Sequence, residues 1–224
     1  MMAETDQFNP ESDRSPVPRS QESTARGVYA ITPDEPNDAL LLTLCAAVLA
    51  GGAQWLQYRN KAASKATRIR QAAQLLPLCR SRGVALIIND DLDVATAVGA
   101  DGVHLGLGDG SIAAARAALG VDAIIGATCH NRVDLAERAA MEGASYVAFG
   151  AFHPSPTKPG AAKATPELLT LSQSLGLPRV AIGGINADNA RPLVDAGADL
   201  IAVISAVFDA DDPQAATRRL ADLF

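Results

Sequence analysis

From residue 27 onward the chain alternates two kinds of apolar segment. Short runs rich in β-branched residues are followed by longer Ala- and Leu-rich runs with a helical period. The strand candidates are GVYAIT (27–32), AQWLQYR (53–59), ALIIN (85–89), GVHL (102–105), AIIGAT (123–128), YVAFG (146–150), RVAIG (179–183) and LIAVI (200–204). Helical patterns cover 37–52, 64–83, 91–100, 111–120, 131–144, 165–176 and 186–198, and a last one lies around 213–224. The first opens on Asn37 and closes on Gly51-Gly52, and the second opens on Ser64 and closes on Gly83, as capping chemistry requires. Pro77 lies inside the second and predicts a bend or a break there, because proline has no N–H and crowds the preceding turn. The dipeptide Gly-Ala recurs just before strands, in VGADGV, EGASYV and AGADLI, which hints at a repeated βα unit.

Eight strands, each followed by a helix, predict parallel pairing in an α/β fold. Eight is the number at which such a sheet closes into a (βα)8 barrel. The other architecture that this interleaving allows is an open doubly wound sheet, which usually has fewer strands and needs a switch point. In a barrel the chemistry sits where strands end and βα loops begin, so the strand ends are the residues to read.

Composition narrows the ligand. The chain has 224 residues, 48% of them hydrophobic, enough for one large domain at 27–224. Only 4% are aromatic, so Ala, Val, Ile and Leu must build the core. A net charge of −6 argues against nucleic acid or an anionic membrane as partner, so an anionic ligand needs local cations or a metal. Three cysteines, Cys45, Cys79 and Cys129, match no metal spacing and read as reduced, buried thiols. Residues 1–26 are rich in Ser, Pro, Glu and Gln and lack the apolar centre of a signal peptide, which predicts a disordered extension. No apolar run approaches the ~20 residues of a membrane span. The expectation is a cytoplasmic protein, with a homo-oligomer left open.

The strand ends carry polar residues in a pattern. The second strand runs out through Gln57, Tyr58, Arg59, Asn60 and Lys61, and alternation puts Gln57, Arg59 and Lys61 on one side. The third ends at Asn89-Asp90, and Asp109 follows the fourth. Neighbouring strands lie ~4.8 Å apart, so the two carboxylates can share one hard cation such as Mg²⁺. Helix capping by Asp90, Asp91 or Asp109 is the competing role. His104, within the fourth strand, reads as a hydrogen-bonded core or rim residue. Thr128 ends the fifth strand. The sixth leads into a long loop with Ser155, Pro156, Thr157, Lys158 and Gly160, suited to a lid over an anion. Gly183-Gly184 and Ile204-Ser205 follow the last two strands, where barrels often bind phosphate on backbone N–H groups. A tight turn is the plainer role for the glycines. Two separate anion sites imply two small phosphorylated substrates or one bisphosphate.

Taken in order, QYRNK, LIIND, GADGVHLG with Asp109, GATCHN, YVAFGAFHPSPTK, AIGGI and VISA resemble the thiamine phosphate synthase family over residues 27–208. The resemblance implies a Mg²⁺-dependent (βα)8 transferase that joins a pyrimidine methyl pyrophosphate to a thiazole phosphate. It implies that Gln57, Tyr58, Arg59, Asn60, Lys61, Asn89, Thr128 and Lys158 bind the pyrimidine pyrophosphate, with Arg59, Lys61 and Lys158 serving the chemistry. It implies Asp90 and Asp109 for the metal, and Ser155, Pro156, Thr157, Gly184, Ile204 and Ser205 for the thiazole phosphate. This chain departs from the family pattern at Leu107, where a Gln is usual, at Asp91, where an Arg is common, and at the hydroxyl positions Thr128 and Ser155. A thiazole tautomerase and a non-catalytic phosphate-binding barrel are the alternatives. The joint presence of Arg59, Lys61, Asp90, Asp109 and Lys158 favours pyrophosphate chemistry over both.

Overall fold

The computed structural model describes residues 25–154 and 163–224. The chain runs β1 (Gly27–Ile31), α1 (Asp38–Ala50), β2 (Ala53–Tyr58), α2 (Lys65–Arg80), β3 (Ala85–Asn89), α3 (Leu92–Val98), β4 (Gly102–Leu105) and α4 (Ile112–Leu119). It continues β5 (Ile124–His130), α5 (Val133–Met141), β6 (Tyr146–Gly150), α6 (Glu167–Leu171), β7 (Arg179–Ile182), α7 (Arg191–Asp195), β8 (Leu200–Val203), α8 (Ser205–Phe208) and α9 (Pro213–Ala221). The strands are all parallel and close in sequence order, with β8 pairing back to β1. The (βα)8 barrel expected from the alternation is therefore the fold. The 1–26 extension lies outside the described residues except for Ala25 and Arg26. None of the helices among the described residues is long and apolar enough to cross a membrane.

The strands are legible because they are buried on both faces and so read as continuous apolar runs. One face packs under the helices; Val28, Ala30, Leu56, Ile88 and Val147 belong to that layer. The other fills the barrel with Tyr29, Trp55, Ile87, Ile124, Tyr146 and Leu200. The scarce aromatics are concentrated here. Tyr29 packs edge-on against Trp55 at 5.3 Å between centroids, and Trp55 packs on Tyr146 at 4.9 Å. Tyr146 has room because its register partner on β5 is Gly126. A Cβ on Gly126 would lie 2.0 Å from the Tyr146 ring.

The Gly-Ala repeats have a common mechanism. The residue after each one, Asp101, Ser145 or Asp199, binds the start of the preceding strand. An Asp101 carboxylate oxygen accepts from the Leu86 N–H at 2.8 Å, Ser145 Oγ from Ile125 at 3.0 Å, and Asp199 from Arg179 at 2.8 Å. Three of the eight neighbouring strand pairs, β3–β4, β5–β6 and β7–β8, are thus clamped at the end of the barrel opposite the strand C-termini.

Helix α2 runs unbroken through Pro77, so no break occurs there. Pro77 and Ala73, whose carbonyl loses its donor, are both exposed, and water can satisfy that carbonyl. Two helical patterns shrink. The 165–176 pattern becomes α6 and one 3-10 turn at Gln173–Leu175. The 186–198 pattern is reduced to α7 because Asn186 and Asn189 cap the local backbone into a turn: Asn186 Oδ1 accepts from Asp188 and Asn189, and Asn189 Oδ1 from Asn186.

Candidate functional site

A cavity of about 300 Å³ opens at the C-terminal ends of the strands. Alternation along β2 delivers Gln57, Arg59 and Lys61 to its wall. Tyr58 and Asn60, expected at the same site, point the other way and do not line it. The Tyr58 hydroxyl donates to Gln71 Oε1 at 2.7 Å, and Asn60 Nδ2 donates to the same oxygen at 3.1 Å and to the Glu35 carbonyl. Both are buried beneath α2, where the period of two sends every second residue. Arg59 is held by a carboxylate that the strand-end pattern did not single out. Asp34 Oδ1, in the loop after β1, accepts from Arg59 Nη1 at 3.0 Å and from the Lys61 backbone N–H at 2.8 Å. The only hint of it in the sequence was an acid just past the first strand, 25 residues from the arginine it serves.

Asp90 and Asp109 meet at the rim. Neither caps a helix: Asp91 caps α3 by accepting from Val94, and Ser111 caps α4 by accepting from Ala114. Asp91 also pairs with Arg68 at 3.1 Å, which gives that departure from the family pattern a structural role. Asp90 stands at φ 62° and pairs with Lys61 Nζ at 3.1 Å. Burial raises its proton affinity, but the Lys61 ammonium outweighs this and holds the carboxyl below its ordinary range. Asp109 accepts from the Gly106 N–H at 2.9 Å. Burial and the touching Asp90 carboxyl push its proton affinity up, against the pull of Gly106 and Lys61. Two carboxyls in hydrogen-bond contact repel once both ionise, and a shared cation relieves that repulsion. Among the described residues no cluster of three or more His, Cys, Asp or Glu groups exists, so such a cation would draw its other ligands from water or substrate oxygens. Leu107, 67% exposed at the cavity rim, offers it no donor atom.

Across the floor runs a continuous polar chain. Gln57 Nε2 donates to Tyr29 Oη at 2.7 Å, Tyr29 Oη meets Tyr146 Oη at 2.8 Å, Tyr146 Oη meets His104 Nδ1 at 2.8 Å, and His104 Nε2 meets Thr128 Oγ1 at 2.8 Å. Burial pushes both phenols well above their ordinary range, so they stay protonated. Asn89 also lines the cavity. Sequence reasoning placed Gln57, Asn89 and Thr128 at this site and His104 at the core or rim. It missed Tyr29 and Tyr146, which read as apolar core, and only their alternation with Ile31 and Ala148 marks them as interior.

Gly183, Gly184, Ile204 and Ser205 form the opposite wall. Both glycines have positive φ, 106° and 60°. A Cβ on Gly184 would lie 2.3 Å from the Pro154 carbonyl oxygen, and one on Gly183 would lie 2.5 Å from Ala151 Cβ. The close approach that demands glycine here is therefore made by the chain's own β6 loop, whose His153 N–H donates to the Gly183 carbonyl at 3.0 Å. Among the described residues the Gly184 N–H has no acceptor. Ser155, Pro156, Thr157 and Lys158 lie outside the described residues. The cysteines are all free and buried. Burial pushes the Cys129 thiol up to about 12, so it is no nucleophile at neutral pH.

Residues 28–207 match the family described as thiamine monophosphate synthase. The chain is 57% identical over 198 residues to the thiamine-phosphate synthase of Chromobacterium violaceum, covering 88% of this chain and 96% of that one. It is 56% identical over 199 residues to that of Methylobacillus flagellatus, covering 89% and 95%. The solved thiamine phosphate pyrophosphorylase of Pyrococcus furiosus superposes with a TM-score of 0.77 at 34% identity, over 89% of this chain and 96% of that one. With an eight-stranded barrel, polar strand ends and relatives of this similarity over nearly its whole folded length, the chain belongs to the thiamine monophosphate synthase family of transferases.

Proposed function

We propose that this cavity joins 4-amino-2-methyl-5-hydroxymethylpyrimidine pyrophosphate to 4-methyl-5-(2-phosphoethyl)thiazole, giving thiamine phosphate and pyrophosphate, or to its carboxylated form, giving the same products with the carboxyl group released as CO2. The observation that supports the reading is the division of one cavity into two walls whose groups suit anions. Arg59 and Lys61 stand with Asp90 and Asp109 on one wall; the glycine backbone and Ser205 form the other. Gln57, Asn89 and Thr128 lie on the floor between them and offer hydrogen bonds to the pyrimidine. Ser155, Pro156 and Thr157 would join the thiazole phosphate wall, and Lys158 the pyrophosphate.

The chain's residues suit a dissociative reaction. The bond from the pyrimidine methylene carbon to the pyrophosphate oxygen breaks, and its electron pair leaves on pyrophosphate. The lone pair of the thiazole nitrogen then forms the new carbon–nitrogen bond. No strong base is needed. Arg59, kept in place by Asp34, and Lys61 stabilise the charge growing on the leaving group. The packed barrel interior beneath the floor leaves no route for water to the cationic carbon from below, and the two walls align the partners. Asp90 and Asp109 would hold Mg²⁺, which when bound neutralises part of the pyrophosphate charge. The full chain incubated with both substrates and Mg²⁺ should form thiamine phosphate and pyrophosphate in equal amounts. Turnover of the thiazole phosphate alone, with no thiamine phosphate formed, would overturn the reading.

A further inference from the structure

The polar chain across the barrel floor has a direction. Gln57 Nε2 can only donate, so Tyr29 Oη is an acceptor in that bond. The Tyr29 hydroxyl hydrogen then goes to its other partner, Tyr146 Oη at 2.8 Å. Tyr146 has accepted and must pass its own hydrogen to His104 Nδ1, again at 2.8 Å. A neutral His104 that accepts at Nδ1 carries its proton on Nε2 and donates it to Thr128 Oγ1. Thr128 has thereby accepted, and its own hydrogen is left to point away from His104. Thr128 and His104 both line the cavity, as do Tyr29 and Gln57.

We infer that this chain is a polarity relay, in which the side-chain amide of Gln57 sets the tautomer of His104 and thereby makes Thr128 a hydrogen-bond donor to the ligand. His104, Tyr29 and Tyr146 are positioning residues: they act through Thr128 and Gln57. The two ends of the relay present complementary chemistry to the cavity. Gln57, having donated inward, offers its Oε1 as acceptor; Thr128, having accepted inward, offers a donor. The ligand that fits carries a donor such as a ring amine at the Gln57 end and an acceptor such as a ring nitrogen or phosphate oxygen at the Thr128 end. The surroundings are built for this arrangement. Gly126 leaves the space that the Tyr146 hydroxyl occupies: a Cβ there would fall 2.3 Å from Tyr146 Oη. Gln57, Tyr29 and Tyr146 are almost fully buried, so no water competes for the intermediate bonds. A relay of buried hydroxyls transmits direction because each has one hydrogen to give.

The direction rests on the orientation of the Gln57 amide and on a neutral His104. Only its consequence for the pyrimidine substrate rests on the function proposed above, and the test separates the two. The full chain, labelled with ¹⁵N-histidine, has three histidines, and the His104 signals are those lost in His104→Gln. The nitrogen shifts should show Nε2 protonated and Nδ1 bare. Gln57→Glu, measured above the pH at which the new carboxyl ionises, places an obligate acceptor at the head of the relay and should move the proton to Nδ1. Tyr29→Phe, which adds no buried charge, should cut the relay and leave both nitrogens with intermediate shifts. A wild-type His104 protonated on Nδ1, or shifts unchanged in a folded Tyr29→Phe protein, overturns the inference. In the two-substrate assay, Tyr29→Phe should raise the KM for the pyrimidine pyrophosphate roughly threefold to tenfold, the size of one hydrogen bond, and leave that for the thiazole phosphate unchanged. An altered tautomer with neither KM changed would refute the donor role of Thr128. An altered tautomer in a protein that forms no thiamine phosphate would support the relay while refuting the proposed function.

Discussion

At the scale of single residues, two glycines and a pair of aspartates make separate demands. Gly184 was legible as a position needing glycine, but the sequence did not show what crowds it. With φ at 60° and the Pro154 carbonyl 2.3 Å from a would-be Cβ, Gly184→Ala strains the turn and displaces the β6 loop. The left-handed backbone alone costs about 1–2 kcal/mol. The expected outcome is a lower melting temperature and a higher KM for both substrates, checked by thermal melts and steady-state kinetics; a selective change for the thiazole phosphate in a fully stable protein would contradict it. Gly126 has ordinary strand geometry, so its constraint is purely steric. Gly126→Ala should destabilise by about 1–3 kcal/mol through overpacking against Tyr146, read from denaturant unfolding. Asp109 allows a sign to be worked out. Its raised proton affinity favours the fold at acid pH, and that contribution is lost as pH rises through its folded value. Asp90, whose affinity is lowered, contributes in the opposite sense: its share is lost as pH falls. At the proposed metal site, protons would therefore compete with Mg²⁺ for Asp109. The rise in melting temperature on adding Mg²⁺ should be largest at neutral pH, shrink as the solution is acidified, and disappear in Asp109→Asn. An undiminished Mg²⁺ effect in that variant would remove Asp109 from the metal site.

At the scale of elements, the strands were legible and the later helices less so. A strand buried on both faces leaves a continuous apolar run, and ALIIN, GVHL and YVAFG have the bounds that their sequence suggests. Helix patterns fail where polar side chains compete for backbone donors, as Asn186 and Asn189 do before α7. The same contrast explains the site. Gln57, Arg59 and Lys61 followed from the alternation of β2, whereas Tyr58 and Asn60 were carried along by reading QYRNK as one motif. Asp34 and the tyrosine pair were hidden because their partners are distant in sequence: 117 residues separate Tyr29 from Tyr146. Pro77 is the element-scale case of a local rule overridden. Helix α2 tolerates it on an exposed face, so Pro77→Ala should restore the missing bond to the Ala73 carbonyl and stabilise the protein by about 1–3 kcal/mol. Equal or lower stability in chemical denaturation would show that the proline serves α2 in another way.

At the scale of the whole molecule, function and cohesion occupy opposite ends of the barrel. The cavity-lining polar groups stand at the strand C-termini, and the Asp101, Ser145 and Asp199 clamps stand at the other end. The clamps also imply an order of events. They span 15 to 20 residues, whereas the contact that closes the ring, Gly27 N–H to the Asp199 carbonyl, joins the first strand to the last. Short loops close with less loss of chain entropy than long ones. The clamped strand pairs should therefore form on the way up the folding barrier, and ring closure should come on the way down. Asp101→Ala should then chiefly slow refolding, while Val28→Ala, on the strand that meets β8, should chiefly speed unfolding. Stopped-flow chevrons of the two variants would read this directly, and the reverse assignment would mean that the ring closes first. A barrel built this way is in kinetic terms a string of strand–helix–strand parcels that assemble before the circle is sealed.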